Sequence, residues 1–151
     1  MALIRLSSNI PALHRADSQE QGLCFRMPEQ KLVLIVEDDR IIRVLSADLL
    51  LEEGLAIVEA ADGEEALTIL DQRAADIGAL VTDVRMPGTC SGLELARRVA
   101  LQWPWISILV TSGNFNERPP GLPEQAQFLR KPWRPEAVLH FARTAVRADF
   151  H

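Results

Sequence analysis

Only two cysteines, Cys24 and Cys90, occur in the 151 residues, and they match neither a metal-ligand spacing nor a redox pair. That excludes a disulfide-stapled scaffold and a thiolate metal centre, and it suits a reducing compartment. Histidine is also scarce: His14, His140 and His151 stand far apart, so none is offered as catalytic. No apolar run approaches the roughly 20 residues that span a bilayer, and the N-terminus lacks the basic-then-apolar pattern of a secretion signal. A basic stripe is missing too. Lysine and arginine number 16 against 21 acidic residues, a net charge of −5, which argues against a general nucleic-acid binder because such proteins must displace counterions from phosphates. A cytoplasmic protein without membrane or direct DNA contact is expected.

What is present is the balance of a soluble globular chain, 48% hydrophobic and 25% charged, long enough for one domain with a core of its own. Residues 1–30 carry scattered apolar side chains with no sustained period. They are read as an irregular N-terminal extension, with at most a short helix around Ile10 to Arg15. Met27 as the natural start would make them an over-long reading frame; the other reading is a docking arm. Residues 31–148 are regular.

Leu32 to Val36 is a continuous aliphatic run, as expected of a parallel strand covered on both faces. Ile41, Leu45 and Leu49, flanked by Ile42 and Leu50, form the stripe of an amphipathic helix ended by Gly54. Ala56 to Glu59 is a weaker strand, and Asp62 can cap a helix running through Ala66, Leu67 and Leu70. Leu80 to Asp83 is the third strand, stopped by Pro87-Gly88. Leu93, Leu95, Ala96, Val99 and Ala100 mark a third helix that stops near Trp103-Pro104. Ile106 to Thr111 is the fourth strand, Gln127 to Leu129 a short fifth, and Pro135 opens a last helix with Val138, Phe141 and Ala145 inward. Alternation of this kind predicts an α/β fold, a doubly wound (βα)5 unit with a five-stranded parallel sheet in the flavodoxin-like order 2-1-3-4-5. One unit breaks the pattern. Pro119, Pro120, Gly121 and Pro123 occupy the place of the fourth helix, which should be short, irregular or missing, since a proline inside a helix costs about 3 kcal/mol or more.

In that strand order the first, third, fourth and fifth strands are contiguous, and each ends in polar chemistry: Glu37-Asp38, Asp83, Thr111-Ser112 and Lys131. Ligands bind at this edge of an open parallel sheet. Three carboxylates drawn together repel unless a cation stands among them, and oxygen-only ligands favour a hard ion such as Mg²⁺. With Lys131 adding charge and Thr111 a hydroxyl, the set suits phosphoryl transfer, where positioning and charge neutralisation dominate. Asp83 would be the nucleophile, forming an aspartyl phosphate.

Leu34-Ile35-Val36-Glu37-Asp38-Asp39, Thr82-Asp83-Val84-Arg85-Met86-Pro87-Gly88, Val110-Thr111-Ser112 and Phe128-Leu129-Arg130-Lys131-Pro132 together resemble the receiver domain of bacterial two-component response regulators. The likeness is to the stand-alone, single-domain type exemplified by the chemotaxis response regulator. It implies that Asp83 is the phosphoacceptor, Asp38 the direct Mg²⁺ ligand and Glu37 an acidic residue acting on the ion through water. The backbone carbonyl of Arg85 would complete the metal site. Thr111 would be the switch hydroxyl, Phe128 the aromatic that repacks with it, and Lys131 the partner of a phosphoryl oxygen, with a cis Lys131-Pro132 bond. The donor would be a sensor histidine kinase or a histidine phosphotransfer protein. The output would be a changed affinity for a downstream protein target, a phosphorylation-dependent dimer, or onward relay of phosphate. Self-phosphorylation from small donors and slow self-dephosphorylation are implied, without turnover of an external substrate.

Thr89-Cys90-Ser91-Gly92 is an unusual version of the loop after the acceptor, one residue longer than is common in the family it resembles; this places Cys90 near the pocket mouth, where it is read as an incidental loop residue rather than a kinase contact. Trp103, Trp105 and Trp133 are assigned to packing, with Trp133 the one candidate anchor for a partner. Taken alone, Thr111 could be a strand-end residue bonded to backbone, Lys131 a solvated charge and Phe128 ordinary core. Two rival functions follow: a receiver-like adaptor that is never phosphorylated, and a Mg²⁺-dependent phosphatase working through an aspartyl phosphate. The second usually needs an acid two positions after the nucleophile, where this chain has Arg85. Since no output domain can fit after Phe150, action through a partner is expected.

Overall fold

The computed structural model describes residues 4–6, 30–114 and 117–147. In chain order the elements are β1 (Ile4–Arg5), β2 (Leu32–Val36), α1 (Arg40–Glu52), β3 (Ile57–Ala60), α2 (Gly63–Arg73), β4 (Ile77–Asp83), α3 (Gly92–Gln102), β5 (Ser107–Ser112), β6 (Gln127–Arg130) and α4 (Pro135–Arg147). A single sheet runs β1-β3-β2-β4-β5-β6. Its five longer strands are parallel, in the order predicted.

Side chains alternate across each strand, so every strand feeds two cores. Leu32, Leu34 and Val36 of β2 face the layer made by α2 and α3, where Ala66, Leu70, Leu95 and Val99 are buried. Val33 and Ile35 face the layer made by α1 and α4, where Leu50, Val138, Phe141 and Ala145 are buried. Each large aliphatic residue withdrawn in this way contributes roughly 1.5–3 kcal/mol. Burial on both faces is why these strands read as unbroken apolar runs.

Two features differ from expectation, and a third was expected. First, the sheet gains a sixth strand inside the segment read as irregular: β1 pairs antiparallel with β3, Ile4 opposite Val58 and Arg5 opposite Ile57. Arg5 anchors it, donating to Glu59 at 2.8 Å and to Asp48 of α1 at 2.7 Å. The short helix considered around Ile10 to Arg15 lies outside the described residues. Second, α1 buries Ser46, Ala47 and Leu50 and turns Ile41 and Leu45 outward, at 71% and 64% exposure. The apolar stripe on its first turns is therefore a surface. The Asp39 carboxylate caps the amides of Ile41 and Ile42 and so fixes where the helix starts.

Third, as the prolines predict, no helix occurs among the described residues between β5 and β6. Arg118 organises this segment instead, donating to the carbonyls of Ala126 at 2.5 Å, of Leu122 at 3.4 Å, and of Pro123. Leu122 and Ala126 fill the core where a helix would have presented its apolar face. Arg97 of α3 ties the Pro119 to Leu122 turn to the body through the Gly121 carbonyl at 2.9 Å.

Candidate functional site

The carboxyl ends of β2, β4, β5 and β6 converge as the strand order requires. Glu37 and Asp38 follow β2, Asp83 ends β4, Thr111 lies beside Asp83 in register on β5, and Lys131 follows β6. Ligand atoms of Glu37, Asp38 and Asp83 all lie within 4.8 Å of one another. Lys131 Nζ bridges two of them, donating to Glu37 Oε1 at 3.2 Å and to Asp83 Oδ2 at 3.3 Å.

The three carboxylates differ in environment. Glu37 is 5% exposed, Asp83 half-buried and Asp38 exposed. Glu37 Oε2 is buried with no hydrogen-bond partner. An orphaned acceptor of that kind costs free energy unless a proton or cation satisfies it. Burial accordingly pushes the Glu37 carboxyl up to about 7, helped by the Asp83 and Asp38 charges and opposed by Lys131. For Lys131 burial works against the ammonium, but the charges of Glu37 and Asp83 outweigh it and hold its pKa above the ordinary lysine value. This donor set fits Mg²⁺: oxygen ligands only, an exposed Asp38 that leaves one side open to water, and a buried Glu37 oxygen with no partner.

Local backbone geometry fixes the acceptor. Val84 N donates to the Thr111 carbonyl at 3.0 Å, tying the end of β4 to β5. Gly92 returns so close to the strand end that a Cβ there would lie 1.6 Å from the Asp83 carbonyl oxygen, so no side chain fits. Thr111 is 4% exposed. Phe128 is half-buried against the α2–α3 core. The Lys131-Pro132 bond is cis. Arg85, whose carbonyl was expected to join the metal site, lies two residues beyond Asp83 on the loop at the pocket's rim, its side chain exposed.

Cys90 is not at the mouth. It is 5% exposed and packs in the α2–α3 core beneath the loop, and burial raises its thiol pKa. Trp103 and Trp133 are half-buried against the two cores, while Trp105 is 49% exposed and donates Nε1 to the Ala74 carbonyl at 3.0 Å. Two contributors went unread in the sequence. Arg43 donates to the Glu37 carbonyl at 2.7 Å, fixing the loop that presents the acidic pair, and Asp39 is spent on the α1 cap rather than on the cluster. Arg43 sits one turn into an amphipathic helix, and no local pattern distinguishes it from a solvated charge.

No helix among the described residues is long and apolar enough to cross a membrane. Residues 33–143 match the family described as response regulator receiver domain. The chain is similar to the transcriptional regulatory protein FixJ of Azorhizobium caulinodans, at 34% identity over 82% of this chain and 56% of that protein. It is likewise 34% identical to the transcriptional regulatory protein TcrA of Mycobacterium tuberculosis over 74% of this chain and 43% of that one. It thus spans about half the length of these curated relatives. A response regulator receiver protein from Sinorhizobium medicae shares the fold, with a TM-score of 0.72 and 22% identity over 80% of this chain and 97% of its own.

Proposed function

Since the chain belongs to the response regulator receiver domain family, we propose that it accepts a phosphoryl group on Asp83 from a histidine kinase or histidine phosphotransfer protein in the cytoplasm. The observation that carries this reading is the bridge from Lys131 Nζ to both Glu37 and Asp83, which holds one cation against the acceptor carboxylate in the mouth of an acidic pocket. Mg²⁺, held by Glu37, Asp38, Asp83 and the Arg85 carbonyl, would neutralise the developing charge on the phosphoryl oxygens.

The remaining roles fall to the chain's own groups. Asp83 Oδ attacks phosphorus as the phosphorus–nitrogen bond of the phosphohistidine breaks, and the departing imidazole nitrogen keeps the electron pair and takes up a proton. Lys131 shifts from the carboxylate pair to a phosphoryl oxygen. The Thr111 hydroxyl donates to another, and Phe128 follows into the space that Thr111 leaves. The exposed Ile41, Ile42 and Leu45 adjoin Asp38 on the same rim and offer a protein donor an apolar seat. A partner then reads the altered face between the 113–126 segment and β6. Action as a stand-alone single-domain regulator is part of the proposal, and the mass of the native protein in cell extracts tests it.

Mixing the protein with Mg²⁺ and acetyl phosphate and weighing it intact tests the reading. One phosphoryl group should appear on the wild type and none on Asp83→Asn. Equal labelling of both overturns Asp83 as the acceptor, and no labelling of either with acetyl phosphate or phosphoramidate as donor overturns the reading in favour of a constitutive adaptor. Sustained release of phosphate from ordinary phosphomonoesters would favour the phosphatase.

A further inference from the structure

The loop between Asp83 and α3 is held at both its root and its tip. At the root, Gly92 N donates to the Val84 carbonyl at 2.9 Å, and the Thr82 hydroxyl reaches the Asp83 carbonyl at 3.0 Å. At the tip a single oxygen, Glu64 Oε1, takes three hydrogen bonds: from Thr89 N at 2.7 Å, from Thr89 Oγ1 at 2.5 Å and from Cys90 N at 3.0 Å. Glu64 belongs to the first turn of α2, 25 residues away in sequence from Thr89. The loop is shaped to meet it. Gly88 adopts φ +99°, and a Cβ there would come within 2.9 Å of Glu64 Oε2. Arg85 lies between the root and the tip.

We infer that Glu64 is a positioning residue for the phosphoacceptor site, a carboxylate clamp that holds the 85–90 loop, and with it the Arg85 carbonyl, in register with Asp83 and the Mg²⁺ ligands. The inference rests on the reading of Asp83 as acceptor. A carboxylate suits the task because its oxygen accepts several N–H and O–H donors with charge assistance. The same bonds, led by the Thr89 hydroxyl, hold the Glu64 carboxyl below the usual glutamate pKa. Adjacent Glu65 serves a different purpose. Its carboxylate reaches back to the Ala61 amide at 3.3 Å and completes the cap of α2, so it provides a matched control.

The test uses the intact protein and three variants: Glu64→Ala, Glu64→Gln and Glu65→Ala. Hydrogen exchange reads the clamp directly, and the Thr89 and Cys90 amides should exchange faster in Glu64→Ala than in wild type. The Mg²⁺ midpoint from a thermal-shift titration should weaken about tenfold in Glu64→Ala, the low end of what losing an outer partner of a metal site costs. Glu64→Gln, which keeps the accepting oxygen, should recover most of that loss. Glu65→Ala should lower the melting temperature while leaving the midpoint in place. An unchanged midpoint in Glu64→Ala, or an equal loss in Glu65→Ala, overturns the inference. A wild type that binds Mg²⁺ but takes no phosphate overturns the acceptor reading alone, and the Mg²⁺ midpoints then decide the clamp. A wild type that binds no Mg²⁺ overturns both.

Discussion

Glu37 carries the largest electrostatic strain in the site, because it brings a charge into the protein with one oxygen unsatisfied. Its pKa is raised to about 7 from an ordinary 4.5, so between those values the folded state holds a proton that the unfolded chain releases. Stability of the metal-free protein must therefore fall as pH rises from about 4.5 to about 7, by on the order of 1–3 kcal/mol. Denaturant titrations in EDTA across that range should show the decline, and Glu37→Gln should remove it. The same proton competes with Mg²⁺. Apparent Mg²⁺ affinity should climb between pH 6 and 8 and then level, and calorimetry in buffers of different ionisation enthalpy should detect proton release near pH 7. Lys131 is the complementary case: Lys131→Met leaves three carboxylates without their resident cation and should slow phosphorylation about 100-fold, the scale of losing one fixed stabilising group. Rates from acetyl phosphate, read by intact mass, would check it.

Among the elements, the strands were the most legible in the sequence, for a physical reason. Parallel strands covered on both faces must be aliphatic throughout, so Leu32 to Val36 and the run into Asp83 declare themselves without any long-range information. Their carboxyl ends then fix Glu37, Asp38, Asp83, Thr111 and Lys131 at one rim, which is why the candidate site was readable. Helix rotation was less so. On α1 two apolar stripes compete, and the stronger one, Ile41 and Leu45, is left outside while Ala47 and Leu50 meet the sheet. Glu64 and Arg43 were hidden for a different reason: each acts through a backbone group brought near by folding, and no spacing encodes that. The proline-rich segment announced a missing helix but not its replacement. Arg118 supplies that by satisfying backbone carbonyls a helix would have bonded internally. Arg118→Ala should cost about 1–2 kcal/mol and speed exchange of the Leu122 and Ala126 amides, with little change at α3.

At the scale of the molecule, the family match spans residues 33–143, yet the sheet extends beyond it through Ile4 and Arg5. Arg5 neutralises Asp48 and Glu59, and Glu59 also faces Arg43 at 3.6 Å. That links β1 by a chain of charges to the residue that braces the Glu37 loop. Partly exposed pairs of this kind contribute about 0.2–1 kcal/mol each, so Arg5→Ala should lower the melting temperature by a few degrees at most. Deleting residues 1–6 should do more, since it also uncovers the backbone of β3. Light scattering over a concentration series is the sensitive measurement.

The short antiparallel strand also sets the symmetry available to assemblies. A border only two residues long gives a second copy little to pair with, which leaves β6 as the sheet's one extensible side among the described residues. Growth from a single side is self-limiting: two copies joined β6 to β6 close an isologous pair and stop. Restore the second side by removing β1, and β3 of one copy can pair with β6 of the next, a contact that repeats head to tail without end. The deleted protein should therefore form open-ended aggregates at concentrations where the full chain does not.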